Sequence, residues 1–527
     1  MKMNTAPIKS NLLGEARYLK EYIYKNRWLL VISVGVFWLV YGGWMFNTIP
    51  HIDTEPVINS PRSIYSNWLP IGRYGLVLTE YVFGLRWFNP FISTGLGYAL
   101  LWFSGVLFLY LFERCANTSN RLAPVVSLLI FVSPLVVEQL YFDLQLFQIA
   151  WAYCICALAT GFTYYGVMRN SVTTKILAIL CIAWASSSYQ IFVVMYSAAV
   201  AICFVLLVDR MVFAEKSKCT LKHWMKNLFS ILTIFVIAQI LNMLICRMFF
   251  ESDTSYLDSQ RWLGNISNSI ALENILTHIV KGFCGKGVFY TSFYGISALC
   301  CVSIIAYQAV RSKTAVGILC IMAVLFLEIS PFIMTMYMGT EPVPRSQLIY
   351  PFVLAGNTFI IIKTCTKKKA TKIFGVFWIA LLLLQQGNIV TRLIYTDKIC
   401  AQEDARLANE INQRIEKVSS TSKPIAFVGV YNNNLNNACI RGELIGMSIF
   451  NCNSETEPHY RDSTSRACNL SRNLALNFQA CSEKQLMEAR KEALNLPTWP
   501  SAGSVVDMGE YTIVKLSDDR WPDDVIG

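Results

Sequence analysis

The sequence predicts an α-helical polytopic membrane protein of about eleven spans with a small C-terminal α/β domain. Three observations carry this reading. Of 527 residues, 54% are hydrophobic and 15% charged, with a mean hydropathy of +0.43. Soluble domains carry about 25% charged residues, so an ordinary soluble enzyme is excluded, as are a disordered chain, a collagen and a disulfide-stapled miniprotein. The apolar residues fall in blocks of roughly 15 to 23, the length that a bilayer crossing demands. After Gln385-Gln386-Gly387 the blocks stop and a polar, mixed pattern takes over.

The net charge of +11 divides unevenly, with +14 over residues 1–390 and −3 over residues 391–527. A basic excess lying between spans marks cytoplasmic loops and does not support nucleic-acid binding.

In chain order, residues 1–27 form a basic amphipathic segment without a small-residue cleavage site, so the first apolar block reads as a retained anchor. The expected spans are Trp28–Phe46, Phe91–Phe112, Leu122–Val137, Phe147–Val167, Ile176–Ser187, Ile191–Val208, Leu228–Phe250, Thr291–Val310, Val316–Met338, Leu348–Ile362 and Ile373–Leu384. Ser186-Ser187-Ser188 marks a tight turn or a re-entrant hairpin within 176–208. With the N-terminus inside, cytoplasmic segments hold 22 Lys/Arg and the remainder of residues 1–390 holds 8. Lys367-Lys368-Lys369 and the Arg210–Lys226 loop dominate and suit anionic cytoplasmic lipid. An odd number of spans places the tail outside, which in a bacterium is the periplasm. The chain therefore divides into residues 1–27, a membrane domain over 28–390 and a periplasmic α/β domain over 391–527. Two outer segments, Ile71–Phe88 and Leu272–Phe283, are too charged to span and too apolar for open loop, and suit helices lying in the interface.

In the tail, Leu407, Ile411, Ile415 and Val418 recur at helical spacing, and Ile425–Val430 reads as a buried strand. Ser482-x-x-Gln485 is a capping-box signal for a helix running to about Leu494, and Val505–Leu516 reads as a hairpin broken at Met508-Gly509. Most of the seventeen cysteines lie in apolar spans as small hydrophobes. Cys439, Cys452, Cys468 and Cys481 lie in the tail, where three disulfide pairings are open. With four histidines and no ligand spacing, no metal site is expected, although a divalent ion on Asp53, Glu55 and Glu138 stays open.

The stretch after the first span, Asn47-Thr48-Ile49-Pro50-His51-Ile52-Asp53-Thr54-Glu55, is the most informative. Two carboxylates at i and i+2 beside an apolar wall are suited to general-base work, which is worth about 10²–10⁴-fold. A pair of solvated loop acids has the same spacing. Cations among the outer loops are Arg62, Arg73, Arg261, Lys281 and Arg345, suited either to a phosphate or to lipid headgroups. Glu138 and Asp143 lie beside Tyr141 and Phe142, a combination that suits sugar hydroxyls and sugar faces, or an interfacial anchor. Gln190 is a pocket hydrogen-bonder or a turn residue, Trp499 a stacking face or packing, and Lys515 a phosphate contact or packing. Glu328 falls near mid-span, where an acid is a functional candidate or an internally paired structural one.

This layout resembles the C-type glycosyltransferase superfamily, whose catalytic acid follows the first span. More narrowly it resembles the bacterial and phage-encoded O-antigen glucosyltransferases that convert serotype. The likeness rests on Asn47–Glu55, Ser188-Tyr189-Gln190, Pro497-Thr498-Trp499-Pro500 followed by Gly503-Ser504-Val505, and Ile513-Val514-Lys515-Leu516-Ser517. It implies an inner-membrane enzyme whose donor is undecaprenyl-phosphate glucose and whose acceptor is a sugar of the lipid-linked O-antigen of lipopolysaccharide, with transfer on the periplasmic side. Asp53 is then the expected base with Glu55 assisting, and no cofactor beyond the lipid-linked donor is expected. A donor synthase and a flippase become functional partners. A flippase for a lipid-linked sugar and an O-antigen polymerase or ligase are the alternatives.

Overall fold

A computed structural model describes residues 12–45, 51, 54, 65–85, 89, 91–118, 122–216, 220–250, 261–365, 369–451 and 460–518. The chain divides into two compact units. The first comprises 1–46, 62–140 and 145–390, and the second comprises 47–61, 141–144 and 391–527.

The first unit is helical. Its elements are α1 (Leu12–Met45), α2 (Tyr65–Trp68), α3 (Tyr74–Phe83), α4 (Ile92–Ala116), α5 (Ala123–Val126), α6 (Pro134–Leu140), α7 (Asp143–Arg169), α8 (Val172–Ser188), α9 (Ile191–Val208), α10 (Leu221–Phe249), α11 (Asn268–Cys284), α12 (Ser292–Ser312), α13 (Ala315–Ile329), α14 (Ile333–Met338), α15 (Ile349–Cys365) and α16 (Lys369–Val418). Asp143 and Leu144 at the start of α7, and α16 from Thr391 onward, belong to the second unit.

Among the described residues, eight helices are long and apolar enough to cross a bilayer, or nine when the pair Ala123–Ile130 and Pro134–Leu140 counts as one span. All eleven expected segments are helical, but three fall short of an unbroken crossing. The Leu122–Val137 segment bends by 61° ahead of Pro134, because proline lacks the N–H and its ring clashes with the carbonyl one turn back. The other two lie in α8 and α15, each of 17 residues, about 26 Å at 1.5 Å per residue and so just under a typical hydrocarbon core. The stretch at Ser186-Ser187-Ser188 is the end of α8, followed by the extended Tyr189 that turns the chain into α9.

Helix α9 is the centre of the bundle. Nearly every residue of it is buried, and it packs against α4, α8, α13 and α15. A run of small residues, Ser197-Ala198-Ala199 with Ala201, permits this close approach. At Gly356 of α15 an added Cβ would lie 2.5 Å from Ile202 Cδ1. Helix α10 is the opposite case, with a single inward stripe of Trp224, Asn227, Ile231, Ile234 and Ala238 and apolar residues exposed elsewhere. The two expected interfacial segments are the helices α3 and α11. In α11 the exposed residues include Ile270, Leu272, Leu276 and Val280, while Ala271, His278 and Gly282 are buried. A helix that exposes its greasy face and buries its small and polar one is built to lie against lipid.

Helix α16 runs for 50 residues, roughly 75 Å and more than twice a hydrocarbon core. In the second unit its residues Leu407, Ile411 and Ile415 pack on Ile425, Phe427, Phe450, Phe478 and Val514. The sheet has the order β1-β3-β2, with β1 (Ile425–Val428) parallel to β3 (Thr512–Lys515) and β2 (Val505–Asp507) antiparallel to it. The alternation of a strand puts Ile425 and Phe427 on that face and Ala426 on the other, where Ile513 and Tyr511 meet Leu486, Ala489 and Ala493 of α18 (Glu483–Ala493). Helix α17 (Tyr460–Ser471) adds Ala467 and Cys468 to the first face. Strand β1 ends at Val428 because Gly429 has φ +79°, and a Cβ there would lie 2.6 Å from the Ser517 carbonyl.

The capping box at Ser482 is formed, with Gln485 N–H donating to Ser482 Oγ and Ser482 N–H to Gln485 Oε1. Ser482→Ala removes it, at a typical cost of about 1 kcal/mol. Amide hydrogen exchange over the first turn of α18 should then accelerate about five-fold, with the exchange of β3 unchanged.

Candidate functional site

In the second unit, the described part of the first loop is held by its histidine. His51 is buried, and its Nδ1 lies 2.7 Å from Asp143 Oδ2 and its Nε2 3.2 Å from Asp397 Oδ2. Asp143 is the first residue of α7, where a carboxylate is favoured by the helix dipole. Asp397 comes from α16. The ring of Tyr141 covers the imidazole at a centroid distance of 4.1 Å. Burial alone pushes the His51 imidazolium towards neutrality, but the two carboxylates and their hydrogen bonds outweigh it and raise its pKa to about 10. His51 is therefore a cation at neutral pH, donating from both ring nitrogens and unable to serve as a base. Its carbonyl accepts from the Thr54 N–H at 3.1 Å, closing a four-residue turn, and Thr54 is also buried.

Asp53, Glu55 and Arg62 lie outside the described residues. Tyr141 and Asp143, expected to meet a sugar, are here partners of His51. Trp499 has the Arg414 guanidinium 4.7 Å over its ring and packs against the second unit's core. Lys515 is buried on β3, with Nζ 2.7 Å from both the Leu496 carbonyl and Asp518 Oδ1.

In the first unit, the motif Ser188-Tyr189-Gln190 seats the corner between α2 and α3. Gln190 Nε2 donates to the Ile71 carbonyl at 3.2 Å. The Tyr189 ring lies 4.7 Å beneath the Arg73 guanidinium. A Cβ on Gly75 would come within 2.6 Å of Ser187 Oγ and the Ser188 backbone nitrogen, so α3 meets α8 at a position that only glycine fits. Arg73 Nε is buried with no hydrogen-bond partner among the described residues. A donor placed against an aromatic face and lacking an acceptor suits an incoming anion.

About two turns further along α3, Glu80 is buried between Tyr65 Oη at 2.6 Å and Gln148 Nε2 at 2.9 Å. Burial raises its pKa to about 7, against the two hydrogen bonds that hold it down.

A second polar cluster in this unit surrounds α11. Lys281 Nζ lies 2.8 Å from both oxygens of Glu341 and 5.4 Å over the Tyr290 ring. Tyr290 Oη also lies 2.9 Å from Glu341 Oε1, 2.7 Å from Gln347 Oε1 and 2.8 Å from His278 Nε2. Burial pushes the His278 pKa below its ordinary value. Arg345 sits in the helical turn Pro344–Ser346, which packs against α6, the helix carrying the fully buried Glu138. Arg261 has its carbonyl bonded to Asn265 Nδ2 at 2.8 Å. Glu328, near the end of α13, accepts from Asn357 Nδ2 at 3.0 Å, an internal pairing within the bundle. Among the described residues, no group of three or more His, Cys, Asp or Glu side chains is arranged to hold a metal ion.

Sequence reasoning missed His51, Asp397, Glu80 and Glu341. His51 is one of four histidines and stands inside the motif already noted, and Glu80 is a carboxylate in an otherwise apolar interfacial helix. Both were readable signals. Asp397 and Glu341 have no local signature, since each acquires its role from a partner far away in sequence.

The His51 clamp has a signed pH dependence. A group whose pKa is higher folded than unfolded stabilises fully below the unfolded value, about 6.5, and that contribution is lost as pH rises through the folded value. The thermal midpoint of the detergent-solubilised protein should therefore fall between pH 7 and 10, and His51→Gln should flatten that fall while lowering the midpoint at pH 7.

Residues 42–363 match the profile of the family described as Glucosyl transferase GtrII. No curated protein and no solved structure gives a significant match. The profile covers well over half of the chain and includes the first-loop motif, Arg73, Glu80, Ser188-Tyr189-Gln190 and the Lys281–Glu341 cluster. The chain thus belongs to the GtrII glucosyl transferase family and is a membrane glycosyltransferase.

Proposed function

We propose that the enzyme transfers glucose from undecaprenyl-phosphate glucose to a sugar of the lipid-linked O-antigen repeat, at the periplasmic face of the bacterial inner membrane. The N-terminus is then cytoplasmic and residues 391–527 periplasmic. Asp53 takes the proton of the attacking acceptor hydroxyl, and Glu55 orients it. The hydroxyl oxygen bonds to the anomeric carbon, the bond from that carbon to the phosphate oxygen breaks, and undecaprenyl phosphate leaves. A single displacement on a β-linked donor gives an α-glucoside. The leaving phosphate needs charge neutralisation more than a proton, a role for Arg73 first, with Arg62, Arg261, Lys281 and Arg345 as further cations. No metal is required by a monophosphate donor. Synthesis and translocation of the donor fall to other proteins.

The observation that carries this reading is the turn closed between His51 and Thr54. Both are buried, and the sequence motif they belong to also contains Asp53 and Glu55. A catalytic base must be held to a fraction of an ångström, and a motif anchored at two buried residues supports that reading.

The test is glucose transfer from synthetic polyprenyl-phosphate glucose to purified O-antigen glycan. Asp53→Asn should lower kcat by about 10²–10⁴-fold with the protein still monodisperse, and Glu55→Gln should lower it less. Equal rates in all three proteins would remove the first-loop base. Absence of transfer, with the lipid-linked sugar crossing a vesicle membrane instead, would replace the enzyme reading for this substrate with that of a flippase.

A further inference from the structure

The Arg73 corner has a carboxylate built into its support. Helix α2 is one turn long, and its backbone runs directly into the corner. Leu69 N–H donates to the Tyr65 carbonyl, Gly72 N–H to the Leu69 carbonyl and Arg73 N–H to the Trp68 carbonyl. Gly72 takes φ +76°, which lets the chain reverse there. On α8 the corner rests against Ser187, Ser188 and Tyr189, and Trp184 Nε1 donates to Thr79 Oγ1 at 3.0 Å. Tyr65 of α2 reaches α3 through its 2.6 Å bond to Glu80. A bond this short to an ionised carboxylate is among the stronger hydrogen bonds available to a protein.

Gln148 supplies the second observation. Its Nε2 donates to Glu80 Oε1, while its own Oε1 is buried with no partner among the described residues. A buried amide oxygen without a donor is costly. The ionised carboxylate beside it has no proton to offer. A carboxylic acid does, and an acid and a primary amide facing each other can close a pair of hydrogen bonds. One proton on Glu80 would thus satisfy the orphaned oxygen and at the same time weaken the carboxylate as an acceptor for Tyr65.

We propose that Glu80 is a positioning residue that seats Arg73 for the donor phosphate when ionised, and that taking up a proton transfers its hold from Tyr65 on α2 to Gln148 on α7 and loosens the corner. The proton comes from and returns to solvent, and no covalent step is involved. The inference rests on the reading of Arg73 as a donor-phosphate cation. Among the described residues, the titratable group facing Glu80 is Tyr65 of α2, with Tyr81 packed on the Tyr65 ring at 6.2 Å. Helix α7 presents Gln148, with Phe147 and Trp151 packed on Phe83, and α8 presents Trp184 and serines, so neither brings a charge to the contact. Arg73 lies at the other end of α3, and Tyr74 beside it stacks on Phe250. The carboxyl's pKa of about 7 puts the exchange within a range that kinetics can scan. The donor, a phosphodiester, has no ionisation there.

The experiment is the KM for synthetic polyprenyl-phosphate glucose, measured on the full-length protein in nanodiscs from pH 6 to pH 9. For the wild type, KM should rise about five- to ten-fold as the pH falls from 8 to 6, with kcat changing less. Glu80→Gln, a neutral isostere that can still pair with Gln148, should show the high KM at every pH. Tyr65→Phe removes the hold on α2 in either protonation state and should likewise show a high KM with little dependence on pH. Arg73→Gln should have a high KM throughout. A Glu80→Gln protein that keeps the low KM at pH 8, or whose KM still climbs as in the wild type, would overturn the proposal. If Glu80→Gln does not insert and fold, a Tyr65→Phe protein that keeps the low wild-type KM at pH 8 overturns it equally. A wild-type KM in Arg73→Gln defeats the phosphate reading itself, which is a different failure from a flat wild-type profile with Arg73 still required.

Discussion

A buried cation between two carboxylates is the constraint on which the described part of the first loop depends. His51 brings together three points distant in sequence, its own loop, the start of α7 at Asp143 and α16 at Asp397. Neutral imidazole could donate to one of these carboxylates but not to both. The charge is what makes the arrangement self-consistent, since each carboxylate needs a donor and the imidazolium has two. Removing either acid would leave a buried ion short of a partner, which is more damaging than never having had the pair.

The first unit applies the same logic with a different outcome. Glu80 and Glu328 are buried carboxylates that accept hydrogen bonds from neutral hydroxyl and amide groups. Lys281 and Glu341 form an ion pair that remains about one-third exposed. Among the described residues, polar side chains of this apolar unit gather in clusters, two of which lie at the α2–α3 corner and around Tyr290. Function in a glycosyltransferase of this kind is then expected to gather where the framework has tolerated polarity.

Much of the fold was legible in the sequence because its signals are local. Apolar block length located every helix of the expected eleven spans, Ser482 and Gln485 announced α18, and the short apolar run Ile425–Val430 announced β1. The count of full crossings was not legible at Pro134, α8 and α15, where a bend or a short helix decides and composition does not. The site was legible by motif and not by role. Ser188-Tyr189-Gln190 was noted as a signature, but that it seats Ile71, Arg73 and Gly75 depends on contacts more than a hundred residues apart. Asp143 and Tyr141 stand out by their own neighbours in sequence, but their contact with His51 depends on a residue some ninety positions away. Pairing between distant residues leaves no trace in spacing, which is why Asp397 went unread.

The measurement closest to the centre of this account is the ionisation of His51 itself. With ¹⁵N-labelled histidine in the full-length protein, and His51→Gln to identify the signal among four histidines, both ring nitrogens of His51 should remain protonated at pH 8. Titration should begin only as the pH approaches about 10. A His51 signal that turns neutral near 6.5, the ordinary value for imidazole, would contradict the clamp and leave the first loop without the charged support on which its assignment rests.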